Sequence, residues 1–136
     1  MVDQNCAYCV EGDLVAKFGI KICELETSKV YLFKEQSHPG RCIVAHKKHV
    51  GDMNELTAEE RAAYFEDVAR VARAIMKAFN PDKVNYGAYG DTGHHLHFHL
   101  CPKYKDEFEW GGVFLMNPDK KYLTDAEYAD MAAKIR

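Results

Sequence analysis

Residues 95–100 read His-Leu-His-Phe-His-Leu, an alternation of imidazole and apolar side chain with a period of two. A β-strand sends successive side chains to opposite faces, so the pattern predicts a strand with His95, His97 and His99 on one face. Same-face neighbours on a strand lie roughly 6.5 to 7 Å apart, which separates the outer two histidines by about 13 Å. Zinc binds imidazole nitrogen at roughly 2.0 to 2.1 Å, so one ion cannot take all three. At most two adjacent histidines share an ion while the third does something else, and the row reads as a division of labour. Chance alternation in a chain with seven histidines is the bland alternative.

Around that strand the chain orders itself into short β-prone runs and two helices. Leu14 to Leu25 and Val30 to Phe33 are rich in β-branched and aromatic residues, and Glu26-Thr27-Ser28-Lys29 between them suits a turn. Ser37-His38-Pro39-Gly40 is a loop leading into a third strand, Arg41 to Ala45. Val84 to Tyr89 and His95 to Pro102 complete the set. Thr57-Ala58-Glu59-Glu60 forms a capping box that opens a long helix, whose apolar stripe runs through Phe65, Val68, Ala72, Ile75 and Phe79 before Asn80-Pro81 ends it. Thr124-Asp125-Ala126-Glu127 caps a terminal helix. The class is α+β, an antiparallel sheet with helices on it. With 136 residues, 47% of them hydrophobic, and no linker or repeat, one domain over residues 1–136 is expected.

No apolar run reaches the length of a membrane span, and no basic region with an apolar stretch and cleavage site opens the chain, so a cytoplasmic protein without a membrane partner is expected. The net charge of -3 and the lack of a long Lys/Arg cluster argue against a nucleic-acid partner; any nucleotide bound is small. Five cysteines with no secretory signal read as thiols or metal ligands rather than as a disulfide framework. Cys23, Cys42 and Cys101 stand among apolar neighbours as small buried hydrophobes. Cys6-x-x-Cys9 differs: it supplies half of a tetrahedral zinc site, which thiolate with imidazole usually completes. A reduced, unliganded pair is the other reading, and a redox role lacks the βαβ context it needs.

The segment His95-Leu96-His97-Phe98-His99-Leu100-Cys101 resembles the histidine triad motif of the HIT nucleotide hydrolases and transferases. The resemblance extends through Gly40 to Val50, Asn85-Tyr86-Gly87 and Gly90-Asp91-Thr92, and so covers nearly the whole chain. It implies a HIT-like five-stranded antiparallel sheet with one long helix and a C-terminal helix, often paired into a ten-stranded homodimer. It further implies that His97 attacks an α-phosphate to form a nucleotidyl-histidine intermediate, which a neutral imidazole is nucleophilic enough to do near pH 7. For that attack the other ring nitrogen of His97 should donate to a fixed acceptor such as a backbone carbonyl. His99 then touches the phosphate or the leaving-group oxygen, Thr92 lies by the leaving group, and Asn85 contacts phosphate. Turn chemistry is the competing account of Asn85 and Thr92.

In zinc-containing branches of the family a Cys pair joins two histidines, here His49 and His95, so Cys6, Cys9, His49 and His95 would form a closed, structural Cys₂His₂ zinc site. The chain departs from the family pattern in places. Asn85 sits one residue closer to the triad than in many relatives, Asp91 replaces a common Gln, and Lys34-Glu35 falls near a ribose-binding Asp. Trp110 with Gly111-Gly112 reads equally as a lid or as a packing anchor, and His38, His46 and His94 are given no role. Expected substrates are a dinucleoside polyphosphate, a nucleoside phosphoramidate or an adenylate. A non-catalytic zinc-stabilised nucleotide-binding module is the alternative, and a metal-dependent hydrolase with His95 and His97 as ligands comes third.

Overall fold

In the computed structural model, which describes residues 4–91 and 94–136, β1 (Gly19–Glu24), β2 (Ser28–Phe33), β3 (Cys42–His46), β4 (Lys83–Gly87) and β5 (His97–Lys103) pair in the order β1-β2-β3-β5-β4. Every pairing is antiparallel, as the sequence led us to expect. The helices among the described residues are α1 (Ala7–Val10), α2 (Asp13–Ala16), α3 (Ala58–Phe79) and α4 (Asp125–Ile135). None is long and apolar enough to cross a membrane.

The alternation along the strands separates two packing layers. Val30, Leu32, Cys42, Val44 and Leu100 face α3 and α4, where Tyr64, Val68, Ile75 and Tyr128 complete the larger core. Tyr31, Phe33, Ile43 and Ala45 face the other way and pack under α1 and α2 with Tyr8 and Val15. β3 is buried along its whole length because both of its faces are covered. Two polar links fix α3 on the sheet. The Tyr64 hydroxyl donates to the Val44 carbonyl at 2.7 Å, and the buried Asp67 carboxylate accepts from the Thr27 amide and hydroxyl and from the Ser28 hydroxyl at 2.7–2.9 Å. Both expected capping boxes form, at Thr57/Glu60 and Thr124/Glu127, and Asn80 closes α3 in the left-handed region at φ 50.

The first expected strand is only half a strand. Asp13–Ala16 forms a helical turn and β1 starts at Gly19. Glu11 and Gly12, both at positive φ, reverse the chain so that Val15 drops into the layer beneath α1; that tertiary burial outweighs the weak period-two signal of the apolar run. β4 stops at Gly87, short of the expected Tyr89. A Cβ at Gly87 would meet the Tyr89 ring at 2.6 Å and the Phe114 ring at 2.9 Å, so glycine is needed for this close approach opposite His99. Ladder pairing in β5 begins at His97, but Leu96 still donates to the Val50 carbonyl (2.8 Å) and accepts from the His46 amide (2.9 Å). Those bonds carry the extended chain back to His95.

Candidate active site and metal centre

The three triad histidines follow one another along the sheet face that carries α1. The ring centroids of His97 and His99 are 5.4 Å apart, and Tyr8 of α1 lies 5.4 Å from His95 and 5.1 Å from His97. Lys29 holds α1 in place, its Nζ donating at 3.1 Å both to the Tyr8 carbonyl and to Glu11, which also accepts from the Tyr31 hydroxyl at 2.8 Å. All three histidines are nearly sealed from solvent. What differs among them is where each ring nitrogen points.

At His95, Nε2 donates to the His46 carbonyl at 2.5 Å, which leaves the Nδ1 lone pair facing outward. Nδ1 lies 3.3 Å from Cys6 Sγ, 3.5 Å from Cys9 Sγ and 3.1 Å from His49 Nδ1, and Cys9 Sγ lies 3.3 Å from His49 Nδ1. The four donor atoms all sit within 4.8 Å of one another and could hold a metal ion. A tetrahedral zinc with roughly 2.3 Å bonds to sulfur and roughly 2.0–2.1 Å bonds to nitrogen needs donors at about this spacing. Burial pushes His95 down to about 4, so the ring is neutral and its lone pair available. Burial also raises the Cys6 thiol, the desolvation cost that a bound cation would offset by replacing the proton.

His97 is oriented the other way round. Its Nδ1 donates to the His95 carbonyl at 2.7 Å, so Nε2 carries the lone pair, and burial lowers its pKa so that the ring is neutral. The fixed acceptor that sequence could not supply is therefore the backbone of the triad strand itself. His99 is held at Nδ1 by Arg41, whose Nη2 lies 3.1 Å away. Burial first and the Arg41 charge second push His99 down to about 2.

Sequence reasoning treated Arg41 only as the first residue of a strand. The signal that could have found it is the alternation Arg41, Ile43, Ala45, which puts a cation on the histidine face; in register, Ile43 pairs with His99 and Ala45 with His97.

These rings border a hollow of about 920 Å³. Tyr8, Phe18 and Phe33 form its apolar floor and residues 113–117 its far wall. Polar clamps hold that wall: Arg41 donates to the Leu115 and Met116 carbonyls at 3.0 Å, and the Glu109 carboxylate accepts from the Leu115 amide while pairing with buried His38 at 2.6 Å. Glu35 accepts from the amides of Lys120 and Lys121 and from Ser37, so this carboxylate anchors the C-terminal segment and does not line the hollow. Asp91 and His94 do border the hollow.

Thr92 lies outside the described residues. Asn85 pairs with Cys101, two residues beyond His99 on the same sheet face, and borders a cleft of about 270 Å³ with Trp110 and Lys103. Trp110 therefore flanks that cleft, while residues 113–117 close on the histidines. His46 is buried and serves through its backbone and its Nδ1, which accepts from the Lys48 amide at 2.9 Å.

The family model described as HIT domain matches residues 19–106. The adenosine 5'-monophosphoramidase hnt1 of Schizosaccharomyces pombe is 28% identical over 116 residues, spanning 79% of this chain and 80% of that protein. A crystal structure of a histidine triad protein from Sinorhizobium meliloti 1021 superposes with a TM-score of 0.83 at 23% identity, covering 91% of this chain and 92% of that one. A Zn-bound histidine triad family protein from Mycobacterium smegmatis superposes with a TM-score of 0.67 at 22% identity, covering 96% and 92%.

Proposed function

Because the chain belongs to the HIT domain family, we propose that it is a nucleotide hydrolase or transferase that cleaves at the α-phosphate of a nucleoside phosphoramidate, adenylate or dinucleoside polyphosphate. The observation that carries this reading is the His97 ring, with Nδ1–H spent on the His95 carbonyl and a bare Nε2 at the edge of a nucleotide-sized hollow. In the reaction the Nε2 lone pair forms the N–P bond and the bond from phosphorus to the leaving group breaks. The leaving group departs with that electron pair and takes its proton from solvent. Water or another acceptor then displaces the imidazole from phosphorus. His99 supplies a hydrogen bond to the phosphoryl oxygen, a fixed-donor contribution of about 10² to 10³ in rate in comparable sites. Thr92 and Asn85 belong to this reading through the resemblance alone.

The metal we assign to Cys6, Cys9, His49 and His95 is zinc. Two thiolates and two neutral imidazoles balance its charge, and a closed set of four protein ligands leaves no position for substrate, so its chemistry there is structural. The zinc named for the Mycobacterium smegmatis neighbour supports the choice. Assigning His95 to the cysteines also draws it away from sharing an ion with His97, which counts against the metal-dependent hydrolase. The protein takes a small nucleotide rather than a nucleic acid, and two copies form a homodimer.

The test is intact mass spectrometry of protein quenched during turnover of adenosine 5'-monophosphoramidate, an aminoacyl adenylate and a diadenosine polyphosphate. The expected result is an added nucleoside monophosphate mapping to His97, undiminished when free divalent ions are chelated. Binding of all three without adduct or turnover would favour the non-catalytic module instead.

A further inference from the structure

Arg41 is fully buried, and no carboxylate forms an ion pair with it among the described residues. Its guanidinium lies between the Phe33 ring (4.1 Å) and the Phe114 ring (4.8 Å). Its hydrogen bonds go to the Leu115 and Met116 carbonyls, to the Met116 sulfur and to His99 Nδ1, and Nε finds no partner among the described residues. Burying a charge this way is costly: desolvation outweighs Glu35 and Glu109, which favour the cation only from beyond ion-pair distance, so an apolar side chain would fill the same space more cheaply. Two carbonyl bonds to a loop do not require a full positive charge. The two rings suit a planar cation, and the contact that bears on the candidate chemistry is the one to His99 Nδ1.

A guanidinium has donors only. His99 Nδ1 must therefore accept, and the single proton of the neutral ring sits on Nε2. A second imidazole proton would have to be placed on Nδ1, facing the Arg41 cation at 3.1 Å. The rings packed against it are Phe33, Phe114 and His97, and among the described residues Arg41 is the hydrogen-bond partner of Nδ1. The adjacent His97 has the opposite arrangement, with the proton on Nδ1 and a bare Nε2. Two chemically identical side chains 5.4 Å apart thus present complementary edges, one a nucleophile and the other a donor.

We propose that Arg41 is a positioning residue for nucleotidyl transfer: by donating to His99 Nδ1 it fixes that ring as the neutral Nε2–H tautomer, so that His99 donates to the phosphoryl group and neither attacks it nor acts as an acid. The proposal rests on the His97 reading above. No proton leaves His99 at any step. The same guanidinium fastens the Leu115 and Met116 carbonyls, so the wall of the hollow and the tautomer of the donor are set by one side chain.

The tautomer is read without substrate. In long-range ¹H–¹⁵N correlation spectra of the metal-loaded protein, His99 is expected to show a pyridine-type Nδ1 and a protonated Nε2, unchanged between about pH 5 and pH 8. Wild-type spectra with the proton on Nδ1, or with His99 as imidazolium in that range, overturn the proposal whatever the activity. In Arg41→Met the Nδ1 signal is expected to shift toward protonation, and kcat to fall by about 10² to 10³ with KM within a few-fold. Arg41→Lys, which keeps charge and donor, restores part of the rate. An Arg41→Met protein that retains kcat within about threefold removes the catalytic part. If it does not fold, Arg41→Lys decides, since a purely structural role would return stability without returning the wild-type Nδ1 signal. Correct His99 spectra in a protein that never forms the His97 adduct would sink the reaction assigned to His97 and leave the tautomer assignment standing.

Discussion

At the residue scale, the proposed chemistry needs His97 and His99 as neutral rings with opposite tautomers, and burial is what keeps them neutral. His46, His95, His97 and His99 all have pKa values pushed below the ordinary 6.5, with desolvation the largest cause in each. The unfolded chain therefore binds protons that the folded chain refuses. Stability from these rings is full above about pH 6.5 and is lost as pH falls toward their folded values. Melting temperature should decline from pH 7 to pH 5, with proton uptake on unfolding seen by calorimetry in buffers of different ionisation enthalpy; a flat profile would contradict the burial argument. Glu35 adds a separate loss below about pH 4.5. Burial opposes its ionisation, but Ser37 and the amides of Lys121 and Lys120 outweigh it and hold the carboxyl below its ordinary value. For the chemistry itself, His97→Ala should abolish turnover while nucleotide affinity stays within about tenfold, because it removes the attacking atom but only one of several contacts. Equilibrium binding alongside single-turnover kinetics separates those two quantities.

Elements are held by different means. α3 is secured by its own amphipathic stripe and its capping box, so Thr57→Ala should cost about 1 kcal/mol in urea unfolding with little change in activity. α1 has only four residues, too few to persist by itself, and its cysteines reach across to His49 and His95 from a separate part of the chain. Metal in that cluster would tie α1 to the histidine strand. Purified protein should carry about one zinc per chain, and Cys9→Ser or His49→Ala should lower both zinc content and melting temperature. Elemental analysis finding less than about a tenth of an equivalent in protein never exposed to chelators would end the metal assignment and leave the His97 chemistry untouched.

For the whole molecule, the sheet has two edges of different character. Beside β1 runs the end of α4, whose Arg136 donates to the Ile22 carbonyl, and the strand is irregular between Lys21 and Cys23. β4 is the regular edge, with Tyr86 about half exposed and Trp110 nearby. An uncovered, regular edge invites pairing with a second copy. Light scattering at tens of micromolar should report a dimer, and Tyr86→Glu should shift it toward monomer. A monomer in the wild-type protein would remove the ten-stranded sheet and leave the His97 reading to its own test.

The local periodicities settled much of this fold in advance. The His-apolar alternation pointed to a strand, the two Thr-x-x-Glu sequences to helix starts, and the Cys6-x-x-Cys9 spacing to half of a candidate metal site, because each is set by backbone geometry within a few residues. Which residues meet across the fold is set by strand register and by where loops land, and no local pattern encodes those. Register put Asn85 opposite Cys101, where it borders the cleft beside Trp110 and Lys103. Chain reversal at Glu11 and Gly12 turned half of an apparent strand into a helical turn. The return of residues 113–117 over the sheet walled the hollow and gave Arg41 its carbonyl partners. The sequence placed the three histidines in a row; tertiary contacts gave each its hydrogen-bond partner, and the partner fixes where the proton sits and so what each ring can do.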